Sequence, residues 1–401
     1  MTRAQTQEFD IVVVGGGPAG LSFACLMEGR GLKIAVIEGQ AESTLGAPPY
    51  DGRDIALTHK SIGIMRAAGI LDRIPEALDA PIKHARVLNG NSDYSLHFFP
   101  DDRADGVLGW LASNHLIRRA CYEQFKTCRD SMLIAGQLVR AVNTDARGAR
   151  VTLADGRVLN ARLVVAADSR FSETRRKMGI PTQMRDFGRV CIVCRMGHAQ
   201  AHDETAYECF RMDMTLAVLP VSPHESSVVL TLASDRAQEA MSMDEAAFNA
   251  MVTERFHARF GPMALAGTRH AYPLVATYAR RFHAQRFALL GDAAVGMHPV
   301  TAHGFNFGLS GAQFLADEIT RAQGLGLDIG SGTLLEKYTR AHRRATHPLY
   351  LATNMLVGLY TDTRRPARMA RDALLRLGNA FAPVRKLITR ELTSIPAQKR
   401  A

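Results

Sequence analysis

Short unbroken apolar runs alternate with stretches of helical spacing along this chain, and that alternation predicts a mainly parallel sheet flanked by helices. Ile11–Val14 is uncharged and β-branched, as a strand buried on both faces should be. Leu21–Arg30 carries helical spacing, and Lys33–Ile37 is a second apolar run that ends in Glu38. The pattern recurs at Leu163–Ala166, which leads into Asp168 and a helix from Ser172, and at FALLG (287–291), which leads into Asp292. After Asp292 come a loop holding Pro299, Gly304 and Gly308 and an amphipathic helix through about Ile319.

Between these runs the pattern is different. Residues 41–52 read as a loop, and 51–71 as an arginine followed by a helix with Ile62, Met65, Ala68 and Gly69 inward. Residues 82–99 alternate weakly, as strands of a second sheet would. Leu108–Cys121 contains a helix start that Asn114 is placed to cap. Short strands fill 133–165, with a hairpin turn at Asp155-Gly156. Residues 181–275 are strand-rich, interrupted by one charged helix at 243–260. Phe210, Met212, Met214, Leu216 and Val218 alternate as a single apolar face. That face suits either an irregular hydrophobic ligand or ordinary packing.

The fold class is therefore α/β. A Rossmann-like domain is assembled from residues 1–75, 106–180 and 276–330, a mixed-sheet domain from 76–105 and 181–275, and a basic helical segment from 331–401. The length of 401 residues fits two intimate domains. The apolar span 11–27 is broken by GGGPAG, so it reads as strand, turn and helix rather than a membrane span.

The net charge of +10 is concentrated at one end. From Arg364 to Ala401 ten Lys or Arg stand against Asp372 and Glu391, on a segment with helical apolar spacing. This is either a helix pair docked by its apolar face or a patch for an anionic membrane surface or an acidic partner protein. No aromatic stripe or reader motif accompanies the charge, which argues against nucleic acid. The six cysteines fit free thiols in a reducing compartment, and the expected location is cytoplasmic, with peripheral membrane association if the tail meets lipid. Cys191 and Cys194 form a C-x-x-C in a strand, where an odd spacing puts them on opposite faces, so no metal is expected.

Candidate chemistry gathers at the strand ends. Gly15, Gly17 and Gly20 complete G-x-G-x-x-G between a strand and a helix, with Pro18 in the first helical turn. Glu38 stands where an acid meets ribose hydroxyls. Arg53 can reach a cofactor phosphate or flavin edge, or it can pair with Asp51 or Asp54 on the surface. His298 and His303 are five apart in a loop, which suits pocket or loop residues rather than a metal pair.

Three junctions in this order, GGGPAG with Glu38, ADSRFSETR (167–175) and LLGDAAVGMHPVTAHGFNFGL (289–309), resemble the single-component flavoprotein aromatic hydroxylases of the para-hydroxybenzoate hydroxylase fold. With DGRDIAL near 51 and YTRAHRRATHPLYLATNMLVGLY in the tail, the chain looks like the ubiquinone-biosynthesis branch, most of all the members acting on demethoxyubiquinol-type rings. Ser169 stands where that family has Gly, and Ala302-His303 where it has Gly-Gln.

The resemblance implies a monooxygenase that binds FAD, uses dioxygen and a nicotinamide donor, NADH or NADPH, and hydroxylates a polyprenyl phenol or quinol through a flavin hydroperoxide. It implies an FAD site formed by Gly15, Gly17, Pro18, Ala19, Gly20, Glu38, Arg53, Asn114, Val139, Asp168, Gly291, Asp292, Gly304, Phe305 and Asn306, with His298, Pro299 and His303 at the reacting ring. Two other readings stay open: a flavin-dependent reductase of a polyprenyl substrate, and a flavin-holding scaffold of a quinone-biosynthesis complex. A halogenase is disfavoured, because Trp110 is the only tryptophan and W-x-W-x-I-P is absent.

Overall fold

A computed structural model of the chain describes residues 6–74, 78–89, 95–100, 106–211, 213–297 and 304–361. Its central element is a six-stranded sheet in the order His283–Ala284, Phe287–Leu289, Leu163–Ala166, Ile11–Val14, Ile34–Glu38, Ser131–Ala135. All neighbours but the first pair run parallel. Ile11–Val13 and Leu163–Ala166 are fully buried, which explains their unbroken apolar sequence. Helix Pro18–Leu26 crosses from the first strand to its neighbour and packs against the long helix Gly304–Gly324. Both helices contribute to the same core as the sheet.

A second sheet has nine strands and mixed directions. Its order is Val295–Gly296, His270–Ala279, Thr182–His198, Glu225–Ala233, Met214–Ser222, Thr205–Phe210, His84–Asn89, Ser95–Phe98, with Met263–Leu265 beside Thr182–His198. One face is covered by helices Ser234–Ser242 and Glu245–Arg255, through Ala237, Phe248, Val252 and Phe256. The other face turns towards a three-stranded sheet of Asp54–Leu57, Gly109–Ser113 and Pro81–Ile82. A four-stranded sheet, Thr6–Glu8, Val158–Ala161, Ala149–Leu153 and Val139–Thr144, completes the fold. The molecule is thus mixed α/β, with a Rossmann-like sheet and a separate mixed sheet.

Several local expectations are corrected. Residues 41–52 are not all loop, since Glu42–Gly46 is a short helix. Gly304 and Gly308 lie inside the long helix rather than before it, and that helix runs on to Gly324. Helix Pro18–Leu26 starts and stops earlier than its apolar spacing suggested. The charged helix expected at 243–260 is Glu245–Arg255, capped by Asp244 accepting from the Ala247 amide, and a further helix, Ser234–Ser242, precedes it. Asn114 is the first residue of its helix, Asn114–Phe125, and not its cap.

The supposed single face from Phe210 to Val218 is split by a chain reversal. Phe210 pairs with Thr215, so it shares that residue's side, whereas Met214, Leu216 and Val218 pack beneath the covering helices. For those three residues, ordinary packing is the answer. Met212 lies outside the described residues, as do His298, Pro299, His303 and the basic stretch 364–401. Cys191 and Cys194 point to opposite sides of their strand, Cys191 beside Val193 and Leu274 and Cys194 in the helix-covered core. Among the described residues, no helix is long and apolar enough to cross a membrane.

Candidate functional site

The parallel sheet delivers its chemistry to one rim. Ile11–Val14, Ile34–Glu38, Leu163–Ala166 and Phe287–Leu289 run side by side, and their carboxyl ends open into Gly15–Gly17, Glu38, Asp168 and Asp292. The crevice at that end is where an open parallel sheet receives a ligand. Segments more than two hundred residues apart in sequence meet here because the strand order is not the chain order.

The glycine turn shows which positions serve the fold and which leave room. At Gly15, φ is +113° and an added Cβ would lie 2.4 Å from the Ala167 carbonyl oxygen. At Gly20 an added Cβ would meet the Gly15 oxygen at 2.1 Å. Both are demanded by close packing of strand, turn and helix. Nothing lies within 4 Å of a Cβ added at Gly17 or at Gly304. Those two positions flank the starts of helices Pro18–Leu26 and Gly304–Gly324, where unpaired amides and partial positive charge favour an anionic group. Pro18 occupies the first helical turn, and Ala19 lies against both the turn at Gly291 and the long helix, its Cβ 2.9 Å from where a Gly291 Cβ would be and 3.6 Å from where a Gly308 Cβ would be.

The acids at the rim are held but not saturated. Glu38 accepts from the Gly16 amide at 2.7 Å and the Gln40 amide at 2.8 Å. A carboxylate has about four acceptor sites, which leaves capacity for ribose hydroxyls. One oxygen of Asp168 accepts from the Thr174 amide at 3.1 Å, while the other is buried with no partner among the described residues. A buried acceptor left bare is costly, so that oxygen fits a ligand donor. Ser169 is not among the residues with positive φ, so the turn after Asp168 does not require glycine there. Asp292 pairs with Arg170 at 3.1 Å.

Beneath this pair sits Arg175, 2% exposed, which donates to the Ala293 carbonyl at 2.7 Å and the Arg170 carbonyl at 3.2 Å. Burial pushes its pKa down. Arg170 and Arg175 clamp the second junction to the third, a link sequence reading missed. Their only signal was their place in SRFSETR, where arginine spacing alone does not reveal a partner far along the chain.

Arg53 and Asn114 are brought together, but through Asp51. Arg53, its side chain 46% exposed, bonds Asp51 through Nε at 3.0 Å and through Nη2, and Asn114 donates to the same carboxylate at 2.7 Å. Burial would raise the Asp51 pKa, but the Arg53 and Asn114 hydrogen bonds outweigh it and hold the carboxyl below its ordinary value. The ion pair with Asp51 is present, and the Arg53 guanidinium also lies over the Tyr272 ring. Val139 starts a strand of the four-stranded sheet, and its carbonyl accepts from Lys177 Nζ at 2.8 Å.

The helix start at Gly304 is fixed from the side. Asn306 accepts from Ser61 Oγ at 2.6 Å and the Thr58 amide at 3.2 Å, and donates to the Ala56 carbonyl at 2.9 Å. Its amide group is thus a fastener between the long helix and the segment 56–61, and the backbone of 304–306 is what remains for a ligand. Phe305 packs partly buried against the main core. The segment is tied to the nine-stranded sheet as well: Val295–Gly296 pairs with Thr277 and Tyr278, and Tyr272 donates its hydroxyl to the Asp51 carbonyl at 2.7 Å.

A second bolt lies further along. Arg195 from the nine-stranded sheet donates to Asp54 at 2.9 Å and Ser113 Oγ at 2.7 Å, both on the three-stranded sheet. The Asp54 side chain is 1% exposed and that of Arg195 23%. They border a cavity of about 370 Å³ with Tyr50, Ile74, Leu111 and His115 among its lining. Burial lowers the His115 pKa.

Open space beside Gly17 and Gly304, an orphaned Asp168 oxygen and three acids on one rim fit a long, hydroxylated, anionic cofactor such as FAD. Comparison with known proteins agrees. Residues 8–348 match the family model described as FAD binding domain. The chain is 48% identical over 388 residues to ubiquinone hydroxylase UbiM of Neisseria meningitidis, covering 96% of this chain and 84% of that one. It is 34% identical to ubiquinone hydroxylase UbiL of Rhodospirillum rubrum, covering 97% and 90%. Among solved structures, p-nitrophenol 4-monooxygenase PnpA from Pseudomonas putida DLL-E4 superposes with a TM-score of 0.75 at 18% identity, covering 97% of this chain and 98% of that one, and so shares the fold.

Proposed function

From the premise that the chain belongs to the FAD binding domain family, we propose that it is an FAD-dependent monooxygenase that hydroxylates the ring of a ubiquinone precursor. The substrate is a polyprenyl phenol or quinol of the demethoxyubiquinol type. The observation that carries this reading is the convergence of Gly15–Gly17, Glu38, Asp168 and Asp292 at the carboxyl ends of adjacent parallel strands. Relatives at 48% and 34% identity named as ubiquinone hydroxylases support it.

In this reading the Gly15–Gly20 turn and its helix start take the pyrophosphate, and Glu38 the adenosine ribose. The Arg53, Asn114 and Val139 segments border the nucleotide. Asp168, Gly291 and Asp292 orient the ribityl chain. The backbone of Gly304, Phe305 and Asn306 faces the flavin edge, where fixed donors stabilise developing negative charge. Bound FAD supplies the two-electron chemistry that places one dioxygen atom on the ring and releases the other as water, with NADH or NADPH as the hydride donor.

The protein's part is to orient the ring and exclude water. The apolar face of the nine-stranded sheet covers the site, so segments 76–105 and 181–275 act as a substrate domain over the FAD-binding segments 1–75, 106–180 and 276–330. His298, Pro299 and His303, which lie in sequence between Gly296 and Gly304, are the residues assigned to act on the reacting ring. The basic stretch from Arg364 brings the enzyme to an anionic membrane surface, where polyprenyl substrates reside.

The reading is tested in cells that make this protein. When the gene is removed, mass spectrometry of lipid extracts should show a polyprenyl ring compound lacking one hydroxyl rising while ubiquinone falls. An unchanged quinone profile would contradict the assignment.

A further inference from the structure

Glu208 sits where a carboxyl has least reason to be. It lies in the strand Thr205–Phe210, near the middle of the nine-stranded sheet. Its neighbours Tyr207 and Cys209 pack beneath the covering helices with Phe248, Val252 and Phe256. Strand alternation therefore turns Glu208 to the opposite side, together with Ala206. Ala206 packs there in a cluster with Ile82, Leu96, Phe98 and Leu108, against which Ala56 is also packed.

Directly across from Glu208 are Val87 on one side and Ala217 on the other. It makes no hydrogen bond or ion pair among the described residues. Glu208 is half-buried, and a carboxyl turned to apolar neighbours without a partner among the described residues is costly to ionise, so a use for it is expected.

Its position supplies one. Ala56, packed against the same cluster as Ala206, is the residue whose carbonyl accepts from Asn306 at the start of the long helix. Tyr272 and Val193 line the same face of the sheet and meet the turn at residues 51–52. Glu208 thus lies on the face of the covering sheet that turns towards the segment 51–56, which Asn306 fastens to the long helix.

We propose that Glu208 is a catalytic residue that takes the proton from the ring hydroxyl of an uncharged phenol or quinol. The inference rests on the hydroxylase reading given above. The ring O–H bond breaks, its electron pair stays on the ring oxygen, and the proton bonds to the carboxylate. The resulting phenolate donates electron density into the ring carbon to be hydroxylated. The proton passes to solvent when product leaves.

The titration of the group is suited to this. Burial alone pushes its pKa up to about 8, so the proton is exchanged near working pH. The groups around it are few. Cys191, across the sheet on the same face, and Cys209, on its own strand, both feel its charge and are themselves raised to about 12 by burial. Arg211 and Arg259 act on Cys209, Arg86 stacks on Tyr207 on the far side, and Arg195 is engaged with Asp54 and Glu225. None of these neutralises Glu208. Among the described residues no cation is paired with Glu208, so the face favours a neutral ring over an aromatic acid.

The test uses the full FAD-loaded chain with a short-chain quinol precursor and follows product across neutral and alkaline pH. The parent kcat/KM should rise with pH about a midpoint near 8. Glu208→Gln should lose that limb and fall about 100-fold, with FAD content and flavin reduction by the nicotinamide donor unchanged. Glu208→Asp should keep a displaced limb, which separates proton transfer from packing and serves if the Gln variant misfolds. Parent-like rate and pH limb in the Gln or Asp variant would overturn the proposal. A parent that binds FAD yet never hydroxylates overturns the hydroxylase reading itself, a different and recognisable result.

Discussion

Gly17→Ala should fold as the parent does and bind FAD about 10- to 100-fold more weakly. The reason lies in the difference between neighbouring glycines. A methyl at Gly15 or Gly20 would press on backbone at 2.4 Å or 2.1 Å, so those substitutions should give insoluble or unfolded chain. A methyl at Gly17 meets no atom within 4 Å. The backbone there is extended, at φ −75° and ψ 174°, which alanine adopts freely. Gly17 caps its helix without a side-chain bond, and since glycine ranks above alanine at that position, Ala costs roughly 0.5–1 kcal/mol of stability.

The methyl would instead occupy the space into which a pyrophosphate must come. Overpacking of about 1–3 kcal/mol corresponds to roughly one to two powers of ten in affinity. Titration of the apoprotein with FAD, beside a thermal melt of the same apoprotein, separates the two effects. Equal FAD affinity for parent and variant would place the pyrophosphate elsewhere.

Arg195→Met should destabilise the fold by about 3 kcal/mol, the lower end of the usual cost of breaking a buried pair, because Arg195 keeps some solvent contact. Asp54, 1% exposed, would be left charged in a site built for a guanidinium. Ser113 Oγ already donates to the same carboxylate oxygen at 2.7 Å, and one hydrogen bond does not replace a cation. Adding Asp54→Leu to Arg195→Met should recover part of the loss, since an apolar pair of similar volume has no charge to strand. Denaturant melts of the single and double variants read this directly. A single variant within about 0.5 kcal/mol of the parent, the usual range for surface changes, would mean that the two sheets are joined by other contacts.

What could be read from the sequence was what local pattern alone determines. Ile11–Val14, Leu163–Ala166 and Phe287–Leu289 announce themselves because a strand buried on both faces tolerates no charge, and the acids following them mark the strand ends. The Asp155-Gly156 hairpin was legible because Gly156 needs its φ of +90°.

What could not be read depends on partners distant in sequence. Asn306 looked like a cofactor ligand, yet its amide is consumed by Ser61, Thr58 and Ala56, some 250 residues away. Nothing in the sequence showed that Asp51 would hold both Arg53 and Asn114. Gly304 and Gly308 suggested a loop because glycine disfavours helix, but both belong to the long helix, which passes Ala19 at Gly308. Glu208 was invisible, because an acid in a strand reads as solvent-facing until the strand is found in the middle of a sheet.

The claim that this chain hydroxylates an aromatic ring with bound FAD is tested most directly by isotopically heavy dioxygen. The purified FAD-loaded protein, a nicotinamide donor and a short-chain quinol precursor are incubated under labelled gas, and the product is examined by mass spectrometry. The account predicts one heavy oxygen in the new ring hydroxyl. Product whose added oxygen comes from water, or donor oxidation that yields no hydroxylated ring, would contradict it.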